Sequence, residues 1–205
     1  MRPKASWLIP FLAIGLIVPA VAEQKQIEEV GKTPVEMDFP SSGELHIDLC
    51  PSGVVLRGTD DNKVHVSYAA DGRSDSSHVR VRLRASGNSG RVEIGDCPHN
   101  NFRVTVEIPQ KTNLYVRMMA GQLEISGIKG NKDVELHFGQ MNLSIGRASD
   151  YAHAEGSVNS GQVDAPAFGV SKGGLFRSFS KDGPGRYQLR AHVGAGQLSI
   201  TDSED

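Results

Sequence analysis

Helical periodicity is nearly missing from this sequence. Outside EQKQIEEV (23–30), which supports at most a short helix, no stretch repeats its apolar residues at 3.6-residue spacing, so a helical fold is excluded. Positive charge is not in excess either. There are 22 Lys and Arg against 24 Asp and Glu, and setting aside Arg2 and Lys4 leaves 20 against 24, a net of −4. That balance excludes a general polyanion or nucleic-acid binder, while leaving room for a local basic stripe. No apolar run reaches the about 20 residues of a membrane-crossing helix; the longest, over 7–18, contains Pro10 and is followed by Pro19. Nucleophiles and carboxylates also lack the companions that a catalytic motif requires. Neither an enzyme nor a cofactor is expected.

What is present begins with an address. Arg2 and Lys4 precede the apolar run, and Ala20-Val21-Ala22 supplies the small-x-small pattern read by signal peptidase. Cleavage after Ala22 makes 1–22 a signal peptide and leaves 183 of 205 residues, enough for one compact domain. The product is expected in the periplasm, at the cell surface or secreted, with no transmembrane segment after cleavage. Cys50 lies far from that site and has no small-residue lipobox before it, so a lipid anchor is not expected. In an oxidising compartment Cys50 and Cys97 are expected to form a disulfide.

The segments after residue 34 alternate with period two. Phe102, Val104, Val106 and Ile108 point one way while Arg103, Thr105 and Glu107 point the other. Val79, Val81 and Leu83 alternate with Arg80, Arg82 and Arg84, and Val134, Leu136 and Phe138 with Glu135 and His137. These are half-buried strands, and 23 glycines punctuate them with turns. The predicted fold is all-β.

One phrase recurs, as AGQLEI (120–125), FGQMNL (138–143), SGQVDA (160–165) and AGQLSI (195–200), with looser copies in SGELHI (42–47) and SGRVEI (90–95). Its glycines are Gly43, Gly90, Gly121, Gly139, Gly161 and Gly196. Gly121, Gly139 and Gly161 are 18 and 22 residues apart, and Gly196 follows 35 later, about two such intervals. At roughly 3.3 Å per residue this interval fits short strands with their turns, the length of one solenoid coil. A glycine there permits a corner where a Cβ would clash with the neighbouring coil. The adjacent glutamine faces outward or into a turn, where stacked amides would form a ladder.

The stretch from Phe102 to Gly146 resembles the putative-adhesin domain family of unknown function found in bacterial envelope proteins. The V-x-V-x-I-P strand ending at Pro109, the L-x-V strand at Leu114 and Val116, G-x-L-x-I-x-G-I-x-G from Gly121 to Gly130, and G-x-M-x-L from Gly139 carry the likeness; RAHVGAGQLSI resembles its closing coil. The resemblance implies a single β-solenoid or β-helix-like domain over 41–201, preceded by a lead-in over 23–40 and followed by an acidic tail over 202–205. It implies adhesion or envelope association, and no catalytic residues.

Three features invite chemistry. Arg80, Arg82 and Arg84 share one strand face at about 7 Å intervals. They form either a solvated face or a docking stripe for an anionic glycan, lipid headgroup or acidic partner. HIDLC (His46, Asp48, Cys50) and CPH (Cys97, His99) bring metal-capable groups together, at spacings that are no strong metal signature. Oxidation of the cysteines would remove two ligands. GVSKG (169–173) and SFSK (178–181) match nucleophile motifs without the helix that either needs. His65, His137 and His192 hold polar-phase positions, and Asn142 opens a glycosylation acceptor inside a strand.

The leading expectation is an exported, non-enzymatic adhesin or cell-surface scaffold that meets an envelope protein or glycan and self-associates through open solenoid edges. The alternatives are a periplasmic metal or small-ligand binder at Cys50 and Cys97, and a glycan-active β-helix enzyme. Such an enzyme would pair two of Asp133, Glu135, Asp150 and Asp164 in a cleft.

Overall fold

The computed structural model describes residues 24–70, 74–99 and 101–202, so the segment expected to be a signal peptide, most of the expected acidic tail, residues 71–73 and Asn100 lie outside the described residues. Thirteen strands form one continuous sheet: β1 Gln24–Val30, β2 Val35–Asp38, β3 Glu44–Leu49, β4 Ser52–Thr59, β5 Lys63–Ala70, β6 Arg80–Ser86 and β7 Ser89–Gly95. They continue as β8 Phe102–Pro109, β9 Asn113–Ser126, β10 Lys132–Ser144, β11 Tyr151–Ala165, β12 Val170–Asp182 and β13 Tyr187–Thr201. Among the described residues, helical geometry is confined to two single 3-10 turns, Ala148–Asp150 and Pro166–Phe168, and no helix is long and apolar enough to cross a membrane. The all-β expectation holds.

The long strands are bent, and each serves two arms of the sheet. The first half of β9 pairs in parallel with β3 and its second half with β4, so β3 and β4 form one bent layer with its corner at Cys50 and Pro51. Beyond β9 lie β10, β13, β11 and then the antiparallel edge strand β12. In the other direction the first arm continues through β7 and β6 to β1, and the second through β8 and β5 to β2. Inward side chains of both arms form a single core reaching from Val35 to Ile200. Each fully buried rung, such as Leu114, Val134 or Leu198, contributes about 1.5–3 kcal/mol of burial free energy.

The corners explain the repeated phrase. Ser52, Gly121, Gly139, Gly196 and Gly161 are successive register partners across parallel strands, and Gly174 extends the row onto β12. Gly121, Gly139, Gly161 and Gly196 have φ of 128°, 129°, 137° and 140°, a region that side-chain-bearing residues resist. A Cβ on Gly139 would strike the Gly121 carbonyl, and one on Gly196 the Gly139 carbonyl. The glutamines follow the same register, and Gln122 Nε2 donates to Gln140 Oε1 at 3.5 Å.

Four expectations need correction. The described part of the segment read as supporting at most a short helix is β1, which runs antiparallel to β6 with Ile27 packed against the core; its partner is too distant in sequence to leave a local signature. The glycine intervals do not count successive units, because β13 inserts between β10 and β11 and Gly196 lies next to Gly139 rather than two intervals beyond Gly161. Phe138 is 58 % exposed instead of inward, since each corner spans several outward residues and shifts the alternation by one. Gly43 and Gly90 are not corner glycines: the space of their missing Cβ atoms is filled by the Phe39 ring.

Candidate functional site

Three turns distant in sequence converge at the ends of the long strands. The turn after β9 carries Gly127, Ile128 and Lys129; the turn after β10 carries Ile145, Gly146, Arg147, Ser149 and Asp150. The third, Pro184-Gly185-Arg186, is the crossover that delivers β13 into its slot. Backbone bonds from Gly183, Gly185 and Arg186 N–H to the carbonyls of Ala152, Tyr151 and Asp150 tie this crossover to the start of β11. Gly185 is required there, because a Cβ would collide with the Asp150 backbone. Together the turns line a cavity of about 550 Å³ that opens to solvent.

Beneath that cavity sits a buried lysine. Lys132 holds an inward position on β10, in phase with Val134 and Leu136, and only 2 % of it is exposed. Its Nζ donates to the Tyr151 hydroxyl at 2.6 Å and to the Gly130 carbonyl at 3.1 Å, and Tyr151 in turn donates to the Ile145 carbonyl at 3.3 Å. Burial pushes the ammonium down from 10.5 to about 7, with Asp150 pulling weakly the other way. Burial also pushes the Tyr151 phenol up, reinforced by Asp150 and Tyr187. The chain Lys132, Tyr151, Ile145 therefore fixes the buried Tyr151 ring as a rigid backing to the cavity.

The rest of the lining is cationic and aromatic. Lys129, Arg147 and Arg186 face one carboxylate, Asp150, whose Oδ1 accepts from Arg147 Nη2 at 3.3 Å. Arg186 lies 4.8 Å above the Tyr187 ring and donates to the Tyr187 hydroxyl at 2.6 Å; the Tyr187 and Tyr151 rings meet edge-on at 6.1 Å. Spacing arguments missed this site because its turns lie far apart in sequence, after β9, β10 and β12. The one available signal was Lys132, a charge at a position whose phase is apolar.

The arginine stripe lies on the outer face of the first arm, in register with carboxylates. Arg82 bonds Glu28 at 3.0 Å and Glu93 at 3.1 Å, Arg80 reaches Glu28 and Asp96, and Arg84 reaches Glu93 at 3.7 Å. The Arg82 hydrogen bond holds the Glu28 carboxyl below its usual range, and Glu28 and Glu93 raise Arg82. Three guanidinium groups thus meet three carboxylates, and an anionic partner would have to displace Glu28 or Glu93. The pattern continues across the face, where Arg91 pairs with Asp48 and Arg117 bridges Asp133 and Glu135 at 3.0 and 3.1 Å.

Cys50 and Cys97 are joined by a disulfide with their Cα atoms 6.1 Å apart, linking the β3–β4 corner to the segment after β7. Their sulfurs bond each other rather than standing as thiolates. His46 bonds Glu44 at 3.0 Å and stacks on Tyr115 at 4.6 Å, while Asp48 is held by Arg91. Ser171 and Ser178 of the two nucleophile-like motifs are exposed on β12, a strand, without the helix those motifs require.

No protein-family profile matches the chain, and no curated protein matches it. One solved structure similar to it is that of a "putative cell adhesion protein" from Clostridium sporogenes, with 15 % identity and a TM-score of 0.49 over 88 % of this chain and the whole of the other.

Proposed function

We propose that this chain is an exported, non-enzymatic adhesin or cell-surface scaffold, a β-solenoid-like stack that presents repeated outward surfaces to an envelope protein or glycan. The carrying observation is the in-register corner row Gly121, Gly139, Gly196 and Gly161, which gives each repeat the job of stacking and leaves its outward positions for contact. The Cys50–Cys97 bond suits an oxidising compartment and takes the thiolates away from a metal-binding reading. For a glycan-cleaving reading, Asp133 and Glu135 are the nearest carboxylate pair in sequence, but Arg117 holds both.

Self-association through the terminal edges belongs to the same reading. At the β12 edge it meets a guard: Lys172 Nζ donates to the Ser178 carbonyl and Arg177 Nε to the Gly173 carbonyl.

The test is to express the full chain with a C-terminal tag in its native cells, fractionate them, and coat beads with the recovered protein. The reading predicts a cleaved, oxidised protein outside the cytoplasm whose beads adhere to envelopes above an inert-protein control. A cytoplasmic protein with two free thiols, or one that depolymerises a polysaccharide, would overturn it.

A further inference from the structure

We propose that the cavity at the coil ends is a binding site for a carboxylated sugar unit, held by Arg147 and Arg186 against the Tyr187 ring. The inference deepens the adhesion reading by naming a ligand class for it.

Charge, shape and rigidity point the same way. Two arginines and Lys129 line the cavity against Asp150, and they still outnumber the carboxylates when Asp202, which accepts from the Ala148 N–H of the same turn, is included; the cavity therefore favours an anion, and a guanidinium fork matches a carboxylate with two parallel hydrogen bonds. Arg147 has 77 % of its side chain exposed and, among the described residues, pairs with Asp150, itself partly exposed, so it can turn onto a ligand without leaving a buried charge unpaired. The walls are apolar where the charges are not. Tyr187, only partly buried, offers the ring surface on which the C–H face of a pyranose packs, while Tyr151, Ile128 and Ile145 are buried behind it as the apolar backing of the site. A volume of about 550 Å³ lies within the range of small-ligand sites.

The site is also built in advance. Tyr151 is locked by Lys132 and Ile145, and the crossover carrying Arg186 is pinned to β11 by three backbone hydrogen bonds. Little ordering remains to be done on binding, which favours affinity for a small ligand. Lys132 lies behind the Tyr151 wall and adds positive potential to the cavity floor when protonated. The insertion of β13 makes this possible, since stacking in chain order would place the third turn elsewhere.

Calorimetric titration of the mature protein with digalacturonate, maltose and inorganic phosphate tests the proposal. Saturable binding of digalacturonate, at least about tenfold tighter than that of maltose or phosphate, is expected; tenfold corresponds to about 1.4 kcal/mol. Arg147→Gln with Arg186→Gln should weaken it at least about tenfold, with an unchanged unfolding midpoint. Arg190→Gln, a charge change outside the cavity lining, should not. If the double variant fails to fold, Arg147→Gln with Lys129→Gln takes its place. No saturable binding, equal binding of maltose, equal binding of phosphate, or a cavity variant that binds as well as the parent would each overturn the proposal. If digalacturonate fails while coated beads still adhere to envelopes, the cavity inference falls and the adhesion reading stands.

Discussion

Gly196 lies directly opposite Gly139 on a parallel strand, and a Cβ on Gly196 would run into the Gly139 carbonyl. The two strands approach at a bend with φ of 140° and 129°, so both conditions for glycine, a positive φ and no room, hold at once. Gly139→Ala should therefore destabilise by about 3 kcal/mol or more, the strained backbone alone accounting for about 1–3 kcal/mol. Gly95→Ala is the control: nothing lies within 4 Å of its added Cβ, and the change should stay within about 0.5 kcal/mol. Urea unfolding of both variants measures the difference.

Lys132 gives the fold a pH dependence of known sign. Between about pH 7 and 10.5 the unfolded chain holds a proton on this side chain that the folded chain does not, so its contribution to stability rises with pH. The penalty for the buried charge is complete below pH 7. Lys132→Met should be more stable than the parent at pH 6.5, and its advantage should shrink by about 2 kcal/mol on going from about pH 7 to 9. Urea midpoints across that range decide it; an advantage independent of pH would contradict the assignment.

Reduction of the Cys50–Cys97 bond releases a loop closed across a sequence separation of 47. In the chain-entropy model this removes about 4 kcal/mol. The Cys50→Ser, Cys97→Ser variant should unfold at lower urea, with near-ultraviolet signals of the folded state retained before the transition.

Lys172 and Arg177 occupy two carbonyls along β12, the outermost strand of its end of the sheet. Replacing both with Ser frees those acceptors beside the exposed Leu175 and Phe176. Sedimentation equilibrium should then show association at lower concentration than for the parent; an unchanged profile would mean that these contacts do not guard the edge.

Much of this was legible in the sequence, because much of it is local. The alternation of Val104, Val106 and Ile108, and the corner role of Gly121, Gly139, Gly161 and Gly196, depend on neighbours along the chain or on the chain's own φ preference. Three things were not local. Phe138 turns outward because the corner begins before Gly139, which period-two counting does not register. QKQIEEV (24–30) becomes a strand through Glu28 and Ile27 meeting Arg82 and Leu83 more than fifty residues away. The phrase GQL fits any slot of the stack equally well, so nothing within AGQLSI says that it inserts ahead of SGQVDA. The cavity inherits that ambiguity, since its third turn depends on the insertion. Only Lys132, charged in an apolar phase, announced that end of the core.

The order of the long strands is open to direct measurement by cross-linking. Gln140 and Gln197 are register partners on adjacent strands, about 4.8 Å apart, whereas Gln140 and Gln162 are separated by the whole of β13. Cysteines at Gln140 and Gln197 fall within disulfide reach, and those at Gln140 and Gln162 do not. Under mild oxidation, peptide mapping by mass spectrometry should find the 140–197 cross-link in the first variant and no 140–162 cross-link in the second. A 140–162 cross-link without the 140–197 one would contradict the stack described here, and with it the cavity at its end.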